Sequence, residues 1–380
     1  MTLIFQGSDS PTIGVEIEFL LLDPLSLDLT PQSERLLEIC KQQKIERIKS
    51  ELLQSMIEID SEVARDVKEC RRFLISRIQK LYAISDSLNL KLAVIGTHPF
   101  QRWADRLISK SDRYQKLHQK YQWLLRRMSI CGLHVHVGVA SGIKVLKILN
   151  SLIPFLPHLL ALSANSPFWQ GTDTGMDSSR ISILEAFPFA GIPPHFKQWE
   201  EFEHYYKTLC QAGVIGSLKD LYWYVRPNLS YGTIEFRICD GMSTLSETMA
   251  ITALIQCLVV WADEFLIHQA SPLQGSLEYQ WIIRENQWNA ARDGLDAMII
   301  ENIHGKRKKL SDLILGLIET LHPIALRLNC AEELSYLKQM VQRGNGAQRQ
   351  RLIYEQTQSL QDVVAAQMKE FKSDIEGLPN

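Results

Sequence analysis

Residues 14–20, Gly14-Val15-Glu16-Ile17-Glu18-Phe19-Leu20, set the strictest condition on how this chain can fold. In a strand, successive side chains point to opposite faces, so Glu16 and Glu18 share one face while Val15, Ile17 and Phe19 share the other. A single strand of this kind is ordinary, because half-solvated antiparallel strands alternate in the same way. The pattern returns, however, in Ile57-Glu58-Ile59-Asp60, in Leu133-His134-Val135-His136-Val137 and in Ile234-Glu235-Phe236-Arg237-Ile238. Each of these stretches offers two ionisable groups at i and i+2 on an apolar backing. If all four belong to one sheet, one of its faces carries carboxylates, imidazoles and an arginine. The Thr, Ser and Lys that commonly fill solvated strands are missing from those positions.

Carboxylate oxygens are hard ligands that suit Mg²⁺ or Mn²⁺, so Glu16, Glu18, Glu58 and Glu235 with one imidazole would suffice for more than one ion. Arg237 falls on the face of Glu235, where its planar fork matches phosphoryl oxygens; a salt bridge within the sheet is the plain alternative. Arg180 falls in a Gly/Ser-rich irregular stretch, Arg226 at a strand and Arg292 on a helix.

The formal charge of −2 argues against a general nucleic-acid or anionic-membrane binder, so any anion site must be local. Seven scattered cysteines without a CxxC pair predict reduced thiols in a cytoplasmic protein and no structural zinc. No basic, then apolar leader opens the chain. The apolar stretches 148–164 and 249–261 are interrupted or short, and predict buried helices rather than membrane spans.

Periodicity and turn signals predict strands at 12–22, 51–60, 91–96, 130–139, 221–226 and 233–239. Helices are predicted at 64–88, 113–128, 143–164 and 198–212, with an irregular functional loop over 165–194. Everything after residue 246 reads as helix, at 246–270, 278–302, 310–343 with breaks and 346–375. Alternating strands followed by helices predict an α+β fold with a mainly antiparallel sheet. The expectation is one catalytic domain over 1–380, with a sheet-bearing part (1–245) and a helical part (246–380) packed on it.

Several runs also resemble, in order, motifs of the bacterial carboxylate–amine ligases, a family also called type 2 glutamate–cysteine ligase-like. They are Gly14-Val15-Glu16-Ile17-Glu18-Phe19, Gly96-Thr97-His98-Pro99-Phe100, Gly132-Leu133-His134-Val135-His136-Val137 and Leu162-Ser163-Ala164-Asn165-Ser166-Pro167. Further matches are Thr172-Asp173-Thr174-Gly175 with Arg180, Val225-Arg226-Pro227, Gly232-Thr233-Ile234-Glu235-Phe236-Arg237, Glu285-Asn286 with Ala291-Arg292, and the Gly/Arg-rich run 344–351. The resemblance implies a glutamine-synthetase-like fold, related to that of the guanido kinases, with a curved antiparallel sheet whose concave face binds ATP and Mg²⁺ (or Mn²⁺). It implies phosphorylation of a carboxylate to an acyl phosphate that an amine attacks, nominally glutamate and cysteine giving γ-glutamylcysteine. By the same resemblance Glu16, Glu18, Glu58, His134 and Glu235 hold metal. Arg237 and Arg180 are catalytic, and His136, Thr97, Arg226 and Arg292 contact substrate or nucleotide. The family pattern usually has Glu where Ile17 stands, and Thr where Ser61 follows Asp60. Small-molecule substrates and a homodimer are the expected partners, without nucleic acid or membrane. The residues alone also admit a dinuclear metallohydrolase, a phosphagen-type phosphotransferase, or a regulator that keeps the fold without catalysis.

Overall fold

The computed structural model describes residues 3–265 and 280–377. Strand β1 (Ile13–Leu22) is followed by helix α1 (Ser33–Gln42), β2 (Ile48–Ser50), β3 (Met56–Asp60), α2 (Val67–Ser87) and β4 (Lys91–Ala93). Next come α3 (Asp112–Tyr121), α4 (Trp123–Arg126), β5 (Gly132–Gly138), α5 (Gly142–Leu152) and α6 (Leu156–Ser163). The irregular stretch contains a small hairpin, β6 (Phe168–Trp169) with β7 (Thr172–Asp173), and α7 (Ser179–Glu185). After α8 (Trp199–Gln211), β8 (Val225–Asn228) and β9 (Thr233–Asp240), the chain turns largely helical. There it forms α9 (Leu245–Glu264), α10 (Gln280–Asp293), β10 (Met298–Ile300), β11 (Arg307–Lys309), α11 (Leu310–Arg327), α12 (Ala331–Arg343), α13 (Gly346–Thr357) and α14 (Leu360–Gly377).

The main sheet runs β2-β3-β1-β5-β9-β8, and every pairing in it is antiparallel. Short β4 pairs antiparallel with the far end of β1. All four recurring motifs therefore enter one sheet, on the adjacent inner strands β3, β1, β5 and β9. Val15, Ile17 and Phe19 have at most 1% exposure, as do Val135, Val137, Ile234 and Phe236. These residues face helices α2, α6, α9 and α14, whose side chains share one apolar cluster with the sheet. Ile17 is on this inner side, so a side chain at that position does not reach the polar face. The two long apolar segments are core helices: Leu245–Glu264 is mostly buried, as is the run Gly142–Ser163. Their starts are fixed by side chains, Thr244 accepting from the amide of Glu247 and Ser141 from that of Lys144.

Several sequence-based boundaries move. Of the strand expected over 51–60 only Met56–Asp60 is strand, residues 51–55 forming the turn after β2, and the strand expected over 221–226 becomes Val225–Asn228. The helix expected over 113–128 breaks at Gln122, which has φ +48°. The late part is not all helix, because the apolar run at Met298-Ile299-Ile300 pairs antiparallel with Arg307–Lys309. A short apolar run of that kind cannot be told from a helix segment by periodicity. The expected helical residues 266–270 and 278–279 lie outside the described residues.

Replacing Ile17 by Ala removes a fully buried side chain between Ile59 and Leu133. We expect a loss of about 2–5 kcal/mol in denaturant unfolding, and an unchanged midpoint would contradict this packing.

Candidate active site

Strand register brings the ionisable groups into rows across the sheet. Glu18 stands opposite Glu58; Glu16 stands between Asp60 and His134; His136 is opposite Glu235, which is opposite Arg226. Most of them border a cavity of about 420 Å³, bounded on other sides by α3, α4 and the segment before β8. Glu16, Glu18, Glu58, His134, Glu235, Arg180, Arg226 and Arg237 all line it.

The hydrogen bonds fix most of these groups. Glu16 accepts from His134 (Nδ1 to Oε2 2.9 Å), and its other oxygen lies 3.3 Å from Nε2 of His136. His136 is held from behind by the hydroxyl of Thr233 at 3.0 Å. Glu18 accepts from the amide of Gly132 at 2.6 Å. A Cβ on Gly132 would come within 2.3 Å of Arg180 Nη2, so an alanine there would displace the guanidinium. Arg226 grips Glu235 with two N–H groups (2.8 and 3.1 Å), while its remaining Nη donates to the carbonyls of Leu218 and Leu221. Arg237 donates to the same carboxylate.

Charge divides the cavity into two ends. At one, burial would push the Glu235 carboxyl up, but Arg226, Arg237 and His136 hold it well below the usual range. Burial likewise opposes ionisation of Glu16, yet hydrogen bonds from His134 and His136 keep it low. At the other end three carboxylates crowd together. Burial and the charge of Glu51 push Glu18 up to about 8, and burial with Glu16, Glu51 and Glu18 raises Glu58 well above its ordinary value. Burial and the nearby Arg237 lower His134 to about 4, so its ring is neutral and able to ligate.

Three trios each place one ligand atom per residue within 4.8 Å of the others: Glu16 with His136 and Glu235, Glu16 with Glu58 and His134, and Glu18 with Glu51 and Glu58. Oxygen-rich sets with at most one imidazole fit Mg²⁺ or Mn²⁺, and such ions would relieve the repulsion among the crowded carboxylates. Glu51 was not among the residues singled out from sequence. A continuous strand over 51–60 would turn it away from Glu58. The turn between β2 and β3 instead brings it back, where it accepts from the Leu52 amide and the Tyr114 hydroxyl. Asp60 does not line the cavity; it pairs with Lys49.

Three expected contacts do not line the cavity. Arg292 is exposed on α10 and bonded to Asp293, so its side chain does not reach the cavity; only its carbonyl serves, accepting from Asp177 N at 3.1 Å. A helix position fixes a residue's face but not its distance from a site built on strands. Thr97 is buried and donates to the carbonyl of Phe168 at 2.8 Å, which ties down the irregular segment rather than facing the cavity. His136 does not line the cavity directly either, and acts through Glu16 and Thr233.

A carboxyl that keeps its proton longer when folded than when unfolded favours folding below its unfolded value of 4.5, and that contribution is lost as pH rises toward about 8. The metal-free protein should accordingly lose stability over this window, and a divalent cation should displace the proton. Titration with Mn²⁺ at neutral pH, by calorimetry in buffers of different ionisation enthalpy, should show about one proton released and affinity rising with pH. Proton-independent binding would contradict the crowded-carboxylate geometry.

Comparison with known proteins gives a consistent result. The family model "Glutamate-cysteine ligase family 2(GCS2)" matches residues 12–366. A Gloeobacter violaceus protein named "Putative glutamate--cysteine ligase 2" is 40% identical over 96% of this chain and 98% of its own length. A Thermobifida fusca protein of the same name is 39% identical over 98% and 94%. Among solved structures, the glutamate–cysteine ligase of Francisella tularensis in complex with AMP superposes with a TM-score of 0.70, covering 97% of this chain and 90% of that one at 12% identity. A bifunctional glutathione synthetase from Pasteurella multocida gives 0.65, covering 97% of this chain and 52% of that one at 14% identity. These two likenesses establish a shared fold, and the match across nearly the whole length establishes kinship. The chain belongs to glutamate–cysteine ligase family 2.

Proposed function

We propose that this protein is an ATP-dependent carboxylate–amine ligase that forms an amide through an acyl phosphate, with glutamate and cysteine as the nominal pair. The observation that carries the reading is the meeting of three carboxylate-rich trios with Arg180, Arg226 and Arg237 around one cavity. The names of the relatives, and AMP in the Francisella tularensis structure, point the same way.

A carboxylate at neutral pH does not react with an amine until its oxygen is made a leaving group, and phosphorylation does that. Metal ions, when bound by Glu16, Glu18, Glu51, Glu58, His134 and Glu235, would neutralise phosphate charge during transfer. The chain's own part is positioning and electrostatics. Arg226 fixes Glu235, and Glu235 in turn aims Arg237, whose guanidinium offers charge to a transferring phosphoryl group. His136 and Thr233 orient Glu16. Leu117, Leu125 and Met128 from α3, α4 and the following turn give the cavity an apolar wall that limits water near an acyl phosphate. All seven cysteines are free, which supports a cytoplasmic location. A homodimer belongs to the proposal and is checked by sedimentation.

The test mixes protein, ATP, Mg²⁺ and a panel of amino acids and amines, and follows phosphate release together with product mass. Amide formed in step with phosphate supports the reading; hydrolysis alone, or a phosphorylated guanidine, overturns it. Glu16→Gln and Glu235→Gln should each lower turnover by roughly a thousandfold or more while the fold survives, because each removes an oxygen charge from a shared trio. Arg237→Lys should lose about a hundredfold, since lysine lacks the planar fork.

A further inference from the structure

The register between β5 and β9 breaks once. Leu133 pairs with Cys239 but Val135 with Phe236, so both Arg237 and Ile238 stand opposite His134. A bulge adds one residue and exchanges the faces of all that follow. Strict alternation from Glu235 would put Cys239 on the cavity side. Instead Cys239 joins the apolar core, and Asp240, opposite Gly132, takes the polar side.

Arg180 caps the bulge. Its Nη2 donates to the carbonyl of Arg237 at 3.2 Å and its Nη1 to that of Ile238 at 3.1 Å. The third donor, Nε, is buried and meets no acceptor among the described residues, although the side chain lines the cavity and is only 4% exposed. A buried guanidinium N–H without a partner is rare, and an anionic oxygen in the cavity would supply one.

Behind Arg180 lies Asp240, with no exposure. Its Oδ2 accepts from the amide of Asn165 (2.9 Å) and the hydroxyl of Ser166 (2.6 Å); its Oδ1 accepts from the hydroxyl of Ser178 (2.9 Å) and lies 3.8 Å from Arg180 Nη1. The Ser166 oxygen, turned by that bond, accepts from the backbone amide of Arg180 at 3.1 Å. One carboxylate thus holds the neighbours that fix the backbone of Arg180 and stands beside its guanidinium. The fit is close: a Cβ on Gly96 would lie 2.7 Å from the Asp240 carboxylate.

We propose that Asp240 is a positioning residue that aims Arg180 so that its free N–H meets an anionic oxygen, of either a phosphoryl or a carboxyl group, in the cavity. The proposal rests on the ligase reading for its kinetics but not for its geometry. The test is a double-mutant cycle of Asp240→Asn and Arg180→Lys in the full chain. It reads kcat, KM for the acid substrate and, by calorimetry with Mg²⁺ present, the affinity for inorganic phosphate. Each single variant should lose about a hundredfold in kcat/KM, and the double variant should be no worse than the poorer single one.

If the partner is phosphoryl, phosphate affinity falls alike in both variants; if it is carboxyl, KM for the acid rises and phosphate affinity holds. Losses that multiply, or wild-type values for Asp240→Asn, overturn the proposal, since a purely structural carboxylate would lower thermal stability without coupling to Arg180. If the wild-type protein forms no amide with ATP, the ligase reading fails, and the phosphate cycle decides for Asp240. Equal, non-additive loss of affinity for phosphate, or for glutamate in the same calorimetry, then upholds the positioning role, and unchanged affinity for both rejects it. Should Asp240→Asn not fold, Ser178→Ala replaces it. Roughly a tenfold loss is then expected, with nothing further on the Arg180→Lys background, and no loss overturns the proposal.

Discussion

Carboxylates buried side by side repel one another and lose their hydration, so a fold that collects them must supply positive charge or accept protons. Here both solutions occur in one cavity. Around Glu235 the protein supplies its own cations, Arg226 and Arg237, and the carboxylate stays ionised. Around Glu18, Glu51 and Glu58 the cations are more distant, Lys49 standing 3.7 Å from Glu58, and burial with mutual repulsion raises all three carboxyls. The difference gives the cavity a polarity: one end holds an ion-paired carboxylate, the other carboxyls that burial and repulsion push toward their protonated form. The apolar side of the sheet makes this tolerable, because Val15, Ile17, Phe19, Val135 and Ile234 bind the same strands firmly to the helices beneath.

Much of this was legible in the sequence because strand alternation is a strict code. Once Glu16, Glu18, Glu58, His134, Glu235 and Arg237 read as i, i+2 pairs, only edge-to-edge pairing was needed to bring them together. What stayed hidden depends on departures from alternation. Glu51 reaches the cavity through a turn that interrupts an apparently continuous strand. Asp240 reaches the polar side through a bulge, where periodicity would have chosen Cys239. Arg292 misleads for the converse reason, since its neighbourhood is shared with the irregular segment and not with the cavity.

The same reasoning explains motifs that carry no chemistry of their own. Thr97 and His98 hold the carbonyls of Phe168 and Leu27. The Gly/Arg-rich run after α12 fastens the irregular segment: Arg351 bonds Asp173, Asp177 and the carbonyl of Met176, Asn345 bonds Asp177, and Gln350 bonds Asn165. A Cβ on Gly346 would strike Asn165, and one on Gly294 would strike Asp177. Residues far apart in sequence thus converge on the loop that precedes Arg180.

That clasp gives the order of synthesis a meaning. The strands bearing the acidic groups all emerge from the ribosome well before Arg351, so a nascent chain can assemble its sheet while the loop before Arg180 is still unfastened. The catalytic face is then completed from the tail, and a protein cut short by a premature stop codon before residue 351 would lack both the anchor of the segment before Arg180 and helix α14, whose Phe371 packs on Phe19 of the sheet.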